Sequence, residues 1–167
     1  DIPRRLDTTR SGDVTGFAKS NPGQKIILVP SISRIPETLA KHPQAKNFVI
    51  YHNELKASEK FAVWQKILSG GIDHVFGSRS AIFTPCPNLK EIIMYDEHEE
   101  SYREQRSPYY NTLTIAEKIS ELTSAKIKIV DSSPRITTYF SYSPALVLAR
   151  DSAKNQLPNV KIVNMLD

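Results

Sequence analysis

Several side chains of this sequence are of the types that contact nucleic acids. Arg79 lies between Ser78 and Ser80, and a guanidinium flanked by two hydroxyls suits hydrogen bonding to phosphate oxygens. Further along, one short segment combines aromatic and polar residues: Tyr102, Arg103, Gln105, Tyr109 and Tyr110. Tyrosine rings can stack on bases, at about 1 to 3 kcal/mol for each base. The alternative is that these tyrosines pack against the edge of the domain.

The densest charge cluster is acidic and runs from Asp96 to Glu100, with His98 at its centre. Its carboxylates could bind a cation or, together with Glu104, dock a basic partner protein. A zinc site is not predicted, because the candidate ligands lack close spacing and one lies inside an apolar run: His52, His74, Asp96 and His98.

A segment near the N-terminus has the length of a phosphate-binding loop of the G-x-x-G-x-G-K-T type. It runs from Asp13 to Ser20 and ends in Lys19 and Ser20, the residue types that would contact phosphates. Asp13 and Ala18 stand where such a loop needs glycines, and Asp13 would repel a phosphate. Too few residues then remain before the strand at Lys25 for the helix that must follow such a loop. An ordinary loop or helix end is the favoured interpretation.

Short apolar runs predict strands buried on both faces, at residues 25–29, 47–51, 73–76, 91–95, 126–130 and 160–163. Between them, apolar residues return at helical spacing in 35–41, 58–68 and 112–122, and a further short helix is predicted around 145–154. For 58–68 the predicted apolar face consists of Phe61, Trp64, Ile67 and Leu68. The alternation of strand and helix indicates an α/β fold with a mostly parallel sheet.

Polar residues follow the predicted strands, at the edge of the sheet where ligands bind in α/β folds. They include 30–31, 52–53, 77–80, 96–98 and 131–133. Because loops are polar in any case, this pattern raises the expectation of a functional edge only modestly.

Composition is that of a soluble globular protein of one domain, expected in the cytoplasm. The 167 residues carry a formal net charge of +4, which permits nucleic-acid binding without requiring it. No apolar run is long enough to span a membrane, and the N-terminus is not a secretory signal. Cys86 is the single cysteine, so no disulfide forms within the chain, and a small, partly buried apolar role is favoured for it.

The segment from Gly77 to Arg103 resembles the central block of the first motor domain in the PriA family of primosomal replication-restart helicases. The likeness rests on residues 77–85, Asn88-Leu89, Ile92-Ile93, Asp96-Glu97-His98 and Ser101-Tyr102-Arg103. Two preceding helicase motifs are similar to Leu28-Val29-Pro30 with Pro36, and to His52, Leu55, Glu59 and Trp64. The stretch leading into the second motor domain resembles Leu157-Pro158 with Val160, Val163 and Met165.

This resemblance implies a RecA-like (P-loop NTPase-type) helicase domain over residues 25–155, after a poorly defined segment, 1–24, and before the start of a linker, 156–167. It also implies ATP and Mg²⁺ as cofactors of the family, with single-stranded or forked DNA and replication-restart proteins as partners. It assigns nucleotide binding to Lys19 and Ser20, catalysis to Asp96, Glu97 and His98, and motor coupling to Ser133. It assigns DNA contact to Ser78, Arg79, Ser80, Tyr102, Arg103, Tyr109 and Tyr110.

Several positions depart from the family's pattern. In register with the D-E-E-H motif the chain reads Tyr95-Asp96-Glu97-His98, so a phenol stands at the magnesium-binding position and a shorter carboxylate at the catalytic one. Ser132 replaces a small alanine in the coupling motif, and Asn111-Thr112 replaces basic residues. We therefore expect a degenerate domain that binds DNA or a replication partner, with little or no ATP hydrolysis and no cofactor. The alternatives are an active ATP-dependent 3′–5′ DNA helicase fragment and a protein-interaction scaffold.

Overall fold

Five parallel strands form the central sheet of the computed structural model, which describes residues 23–142. In chain order they are β1 (Gln24–Leu28), β2 (Phe48–Tyr51), β3 (His74–Gly77), β4 (Leu89–Tyr95) and β7 (Lys126–Val130). They lie side by side in the order β2-β3-β1-β4-β7, and each neighbouring pair is parallel. Two further strands, β5 (Arg103–Glu104) and β6 (Tyr110–Asn111), form an antiparallel hairpin.

Within residues 23–142, four α-helices connect or follow these strands: α1 (Ile35–Ala40), α2 (Ala57–Leu68), α3 (Thr112–Thr123) and α4 (Ile136–Tyr142). Short 3-10 helices occupy Ile32–Arg34, Arg79–Phe83 and Glu100–Tyr102. The mostly parallel α/β architecture expected from the sequence is confirmed. The predicted helix at 145–154, the predicted strand at 160–163, and the residues Lys19 and Ser20 lie outside the described residues.

Apolar side chains on both faces of the sheet form the core. In β1, Ile26 and Leu28 point into one buried cluster, while Ile27 and the following Val29 point into the other. All four are at most 1% exposed. A strand buried on both faces needs a continuous apolar run, which is why the central strands could be predicted from the sequence.

The ends of α2 and α3 follow ordinary capping chemistry. The Glu59 carboxylate accepts a hydrogen bond of 2.8 Å from the Lys56 backbone N–H, and the Asn111 side chain accepts one of 2.9 Å from the Leu113 N–H. Gly70, just past the end of α2, has a φ of 75°, a left-handed conformation that favours glycine. The predicted end of this helix before Gly70 is confirmed.

The predicted apolar face of α2 is wrong for most of its residues. Ile67 is fully buried, but Phe61 is 64%, Trp64 39% and Leu68 55% exposed. The core contact is made by Ile67 together with the partly buried Val63, which lies about one helical turn before it. The other apolar residues of α2 therefore lie on a second, exposed stripe.

Gly77 allows the end of β3 to pack closely against β2. A Cβ atom at this position would lie 2.1 Å from the Tyr51 carbonyl oxygen and 2.6 Å from the Ala81 Cβ. The backbone then continues through Ser78 into the 3-10 helix Arg79–Phe83. This close approach sets the path of the chain that carries Arg79.

Candidate nucleic-acid interface and strand-end polar network

A polar network lies where β4 and β7 end. These strands are neighbours, with Tyr95 in register with Val130, so the residues that follow them meet. The Asp96 backbone N–H donates a hydrogen bond of 2.9 Å to the Val130 carbonyl oxygen. The sheet therefore brings together two of the polar segments that were predicted to share one edge.

His98 and Asp131 form the centre of this network. The His98 Nδ1 lies 2.9 Å from both carboxylate oxygens of Asp131, and the His98 backbone N–H donates to the same carboxylate at 3.2 Å. The Asp131 side chain is 1% exposed and also accepts a hydrogen bond of 2.7 Å from the Ser133 backbone N–H. The hydrogen bond to Asp131 raises the pKa of His98 above its usual range.

Asp96 is paired with a residue that the sequence did not single out. The Arg34 guanidinium, at the end of the 3-10 helix that follows β1, donates to the Asp96 carboxylate. Burial raises the pKa of Asp96, and the Arg34 charge opposes that rise. Because β1 and β4 are neighbours in the sheet, a basic residue just past β1 was the signal that could have identified this partner.

Glu97 is buried rather than presented at the surface. It is 4% exposed, its carboxylate accepts a hydrogen bond of 3.0 Å from the Thr138 hydroxyl, and Arg135 Nε lies 4.0 Å from it. Arg135 also donates a hydrogen bond of 2.7 Å to the His98 carbonyl oxygen. These contacts attach the start of α4 to the strand-end network.

Tyr95 packs into the core on the face of the sheet that also holds Ile27 and Phe76. It is 6% exposed, and its hydroxyl lies 3.0 Å from His42 Nε2. Burial raises the pKa of Tyr95 to about 12, and burial also lowers the pKa of His42 to about 4. The phenol is therefore neutral and committed to a contact inside the chain.

Arg79 holds the β5–β6 hairpin against the sheet. Its guanidinium donates to the carbonyl oxygens of Ser101, at 3.1 Å, and Arg103, at 3.4 Å. Its other terminal nitrogen forms an ion pair of 2.8 Å with Glu104 in β5. The guanidinium that was predicted to contact phosphate is thus engaged with the segment that carries the predicted aromatic residues.

The tyrosines of this segment occupy three different environments. Tyr102 is 2% exposed and its hydroxyl donates a hydrogen bond of 2.7 Å to the Tyr95 carbonyl oxygen, so its ring is not available to stack on a base. Tyr110 is half-buried, and its ring contacts Phe83 edge to face, with centroids 5.3 Å apart. Tyr109 is 77% exposed. Tyr102 and Tyr110 therefore pack within the domain, and Tyr109 is the ring of the three that remains exposed to solvent.

Polar side chains accompany Tyr109 at the surface of the hairpin: Arg103, Gln105, Arg106 and Ser107 are exposed. Arg106 was not singled out from the sequence, although its place between Gln105 and Ser107, next to the aromatic residues, was a usable signal. The hairpin therefore exposes an aromatic ring and two arginines, which are the residue types that contact single-stranded nucleic acid.

The remaining predicted site residues are three serines. Ser78 precedes the 3-10 helix Arg79–Phe83, and its carbonyl oxygen accepts a hydrogen bond of 2.8 Å from the Ala81 N–H. The Ser80 hydroxyl is buried without a hydrogen-bond partner among residues 23–142. Ser133 is exposed, after β7. The structure gathers Asp96, His98 and Ser133 at one edge, and it buries the hydroxyl of the half-buried Ser80.

Within residues 23–142, His, Cys, Asp and Glu side chains form no group of three or more that could hold a metal ion. The helices of this same part of the chain are all too short or too polar to cross a bilayer. Cys86 is half-buried, and burial raises the pKa of its thiol to about 11, as suits an unreactive packing residue.

Comparison with curated proteins gives replication restart protein PriA from several bacteria. The chain is 36% identical to the Thermotoga maritima protein over 124 residues, covering 72% of the chain and 17% of that protein. It is 32% identical to the Synechocystis protein over 155 residues, covering 86% of the chain and 19% of that protein. The Bacillus subtilis protein is 33% identical over 118 residues, which is 70% of the chain and 15% of that protein. The chain is therefore related to PriA, and it corresponds to one part of that protein.

It spans about a sixth to a fifth of the length of these PriA proteins. Among solved structures, the C-terminal domain of Dbp5 from S. cerevisiae, in a complex with Gle1 and IP6, matches with a TM-score of 0.53. That match covers 82% of this chain and 83% of the Dbp5 domain at 14% identity, and it supports the RecA-like α/β fold. No family model matches the chain.

Proposed function

We propose that this chain is a RecA-like domain of a PriA-type replication-restart protein, and that it binds single-stranded or forked DNA with little or no ATP hydrolysis. We infer a cytoplasmic location from the same relationship. The observation that carries the proposal is the β5–β6 hairpin, which Arg79 holds in place and which exposes Tyr109, Arg103 and Arg106 to solvent.

DNA contact by this hairpin follows from its chemistry. A tyrosine ring that is 77% exposed gains by stacking on an unpaired base, and the neighbouring guanidinium groups can contact phosphates. Arg79 does not need to touch DNA in this proposal, because its bonds to Ser101, Arg103 and Glu104 fix the hairpin. Its role is to position the groups that make contact.

Low ATPase activity is supported by the residues at the end of β4. Tyr95 is a neutral phenol held against His42, so it does not offer the hard anionic oxygen that Mg²⁺ prefers. Asp96 is bonded to Arg34, whose positive charge would have to be displaced before a cation could bind the carboxylate. The described residues at the end of β4 therefore do not fit a magnesium-bound nucleotide.

The acidic cluster gives less support to a protein-interaction scaffold than the sequence suggested. Two of its four carboxylates have partners inside the chain, Asp96 with Arg34 and Glu97 with Thr138, and Glu104 beyond the cluster is paired with Arg79. Glu100 is exposed. A basic partner would find few free negative charges on this surface.

Fluorescence anisotropy with labelled single-stranded and forked DNA tests the proposal on the full 167-residue chain. Tyr109→Ala should weaken binding by about fivefold to a hundredfold, since one stacked base is worth about 1 to 3 kcal/mol. Phe61→Ala, which removes another exposed ring from a site outside the hairpin, is the matched control and should bind as the parent does. Equal affinities of all three proteins would contradict the role of the hairpin.

Two further measurements separate the parts of the proposal. A plot of log affinity against log salt concentration has a negative slope, and Arg106→Ala should make that slope shallower by about 0.7. This is the contribution of one phosphate contact on a single strand. Calorimetry with Mg-ATP should detect no binding at micromolar nucleotide. Micromolar or tighter binding, or hydrolysis stimulated by forked DNA, would overturn the nucleotide part of the proposal and leave the DNA part standing.

A further inference from the structure

The exposed face of α2 carries an apolar stripe that no described residue covers. Ala57, Phe61, Trp64 and Leu68 are all exposed and follow one another at steps of four, three and four residues. Residues at this spacing lie on one side of a helix. Phe61 is 64%, Trp64 39% and Leu68 55% exposed, so the stripe presents large apolar groups to solvent.

This stripe is separate from the contact that holds α2 on the sheet. Ile67 and Val63 make that contact, and Ile67 is fully buried. A surface helix usually has one apolar face, which it buries against its own domain. A second apolar stripe on the same helix indicates a surface that another element covers.

The spacing of the stripe matches the seam of a helix pair. Apolar residues at alternating steps of three and four make a narrow line along which a second helix can pack. A helix that lies in a membrane surface buries a broad apolar face in the lipid, whereas the exposed stripe here is one line of residues. The stripe on α2 therefore favours a helical partner over a lipid surface.

Charge identifies the kind of helix. α2 and its N-cap residue carry Lys56, Lys60 and Lys66 against one acidic residue, Glu59, whose carboxylate already accepts the Lys56 N–H. The whole chain has a formal net charge of +4. Pairing of α2 with a second copy would bring like charges together, whereas an acidic helix would be attracted. We propose that the stripe formed by Ala57, Phe61, Trp64 and Leu68 docks an acidic amphipathic helix of a partner protein.

The chain contains its own reporter for this proposal, because Trp64 is its only tryptophan. The probe is a designed helical peptide of about three heptads with leucines at the seam positions and glutamates beside them. A matched peptide has lysine at every glutamate position. Titration of the glutamate peptide into the full chain should shift Trp64 emission to shorter wavelength in a saturable way, and the lysine peptide should bind on the order of tenfold more weakly or not at all.

Variants test whether the stripe is the binding surface. Phe61→Ala and Leu68→Ala should each weaken binding of the glutamate peptide by about tenfold or more, since each removes a large apolar contact. Leu122→Ala, on α3, removes a side chain that is 86% exposed outside the stripe and should leave binding unchanged. All three side chains are exposed, so circular dichroism should show that each variant keeps the fold.

Several results would overturn the proposal. The emission of Trp64 could stay unchanged with the glutamate peptide, or the two peptides could bind equally well. Anionic vesicles of phosphatidylglycerol could shift the emission where the glutamate peptide does not, which would assign the stripe to a membrane surface. Concentration-dependent dimerisation in analytical ultracentrifugation, lost in Phe61→Ala, would assign it to a second copy of the chain.

Discussion

Acidification should destabilise this chain through His42. The ring is 2% exposed and contacts Tyr95 and Phe76, and burial lowers its pKa to about 4 in the folded state. In the unfolded chain a histidine titrates near 6.5. Between these two values the unfolded state binds a proton that the folded state does not bind, so the free energy of unfolding must fall as the pH is lowered.

The size of this loss of stability follows from the difference between the pKa values of His42 in the folded and unfolded states. From 6.5 to about 4, at about 1.4 kcal/mol for each pH unit, His42 should remove about 3 kcal/mol of stability by pH 4. Small domains have a free energy of unfolding of about 5 to 15 kcal/mol. The loss is therefore large enough to measure by urea unfolding followed by circular dichroism at a series of pH values.

A double variant isolates the contribution of His42 from those of the other titrating groups. His42→Phe combined with Tyr95→Phe keeps an aromatic ring at each position and removes both partners of the 3.0 Å contact, so neither of these two is left unpaired. The longer contact of Gln44 Nε2 with His42 Nδ1, at 3.4 Å, is also removed. Near pH 7 its stability should be within about 1 kcal/mol of the parent, and the acid-dependent loss should be smaller by about 3 kcal/mol. The same pH dependence in both proteins would show that His42 is not the group whose protonation destabilises the fold.

Three other predictions concern the strand ends and the loops. Asp131 raises the pKa of His98, so this pair should stabilise the fold below about pH 6.5. The stabilisation should be lost as the pH rises through the pKa of His98 in the folded state. Asp131→Asn should abolish this part of the pH dependence of the urea midpoint. Gly77→Ala should lower the free energy of unfolding by at least about 3 kcal/mol in thermal or urea unfolding, because the Tyr51 carbonyl oxygen would lie 2.1 Å from the new Cβ. Gly71→Ala is the control and should be tolerated, since the atom nearest to its Cβ would lie 3.6 Å away. The Cys86 thiol should react with a disulfide reagent at least about tenfold more slowly in the folded than in the unfolded chain at neutral pH. Its pKa near 11 instead of 9.0 lowers the thiolate fraction about a hundredfold, and the greater nucleophilicity of the more basic thiolate offsets part of that loss. Equal rates would contradict its burial.

The fold was predictable where one local signal decides the structure. The apolar run at β1 has to be buried on both faces, and the glycine after α2 ends that helix, so strands and helix ends could be placed. The face of α2 could not be placed, because Phe61 and Trp64 fit the helical period as well as Val63 and Ile67 do. Which of the two stripes is buried depends on how α2 packs against the sheet, and the spacing of apolar residues gives no information about that packing.

The candidate site was predictable as a place but not as a set of contacts. Polar residues after β4 and β7 meet because parallel strands end at one edge, and the sequence indicated that edge. The pairing of Arg34 with Asp96 joins residues that are 62 positions apart, and it depends on β1 lying beside β4. The strands of the hairpin have only two residues each, which is too short for a periodic sequence pattern. The different degrees of burial of Tyr102, Tyr109 and Tyr110 could therefore not be predicted from the sequence.

Photochemical crosslinking can determine whether DNA contacts the β5–β6 hairpin. Single-stranded DNA that contains 5-iododeoxyuridine would be irradiated with the full chain at low salt, and the crosslinked peptides identified by mass spectrometry. We expect a crosslink at Tyr109 that is lost in Tyr109→Ala and reduced at high salt. Crosslinks confined to other surfaces, such as Phe61 or Trp64 on α2, or no crosslink at low salt, would contradict it.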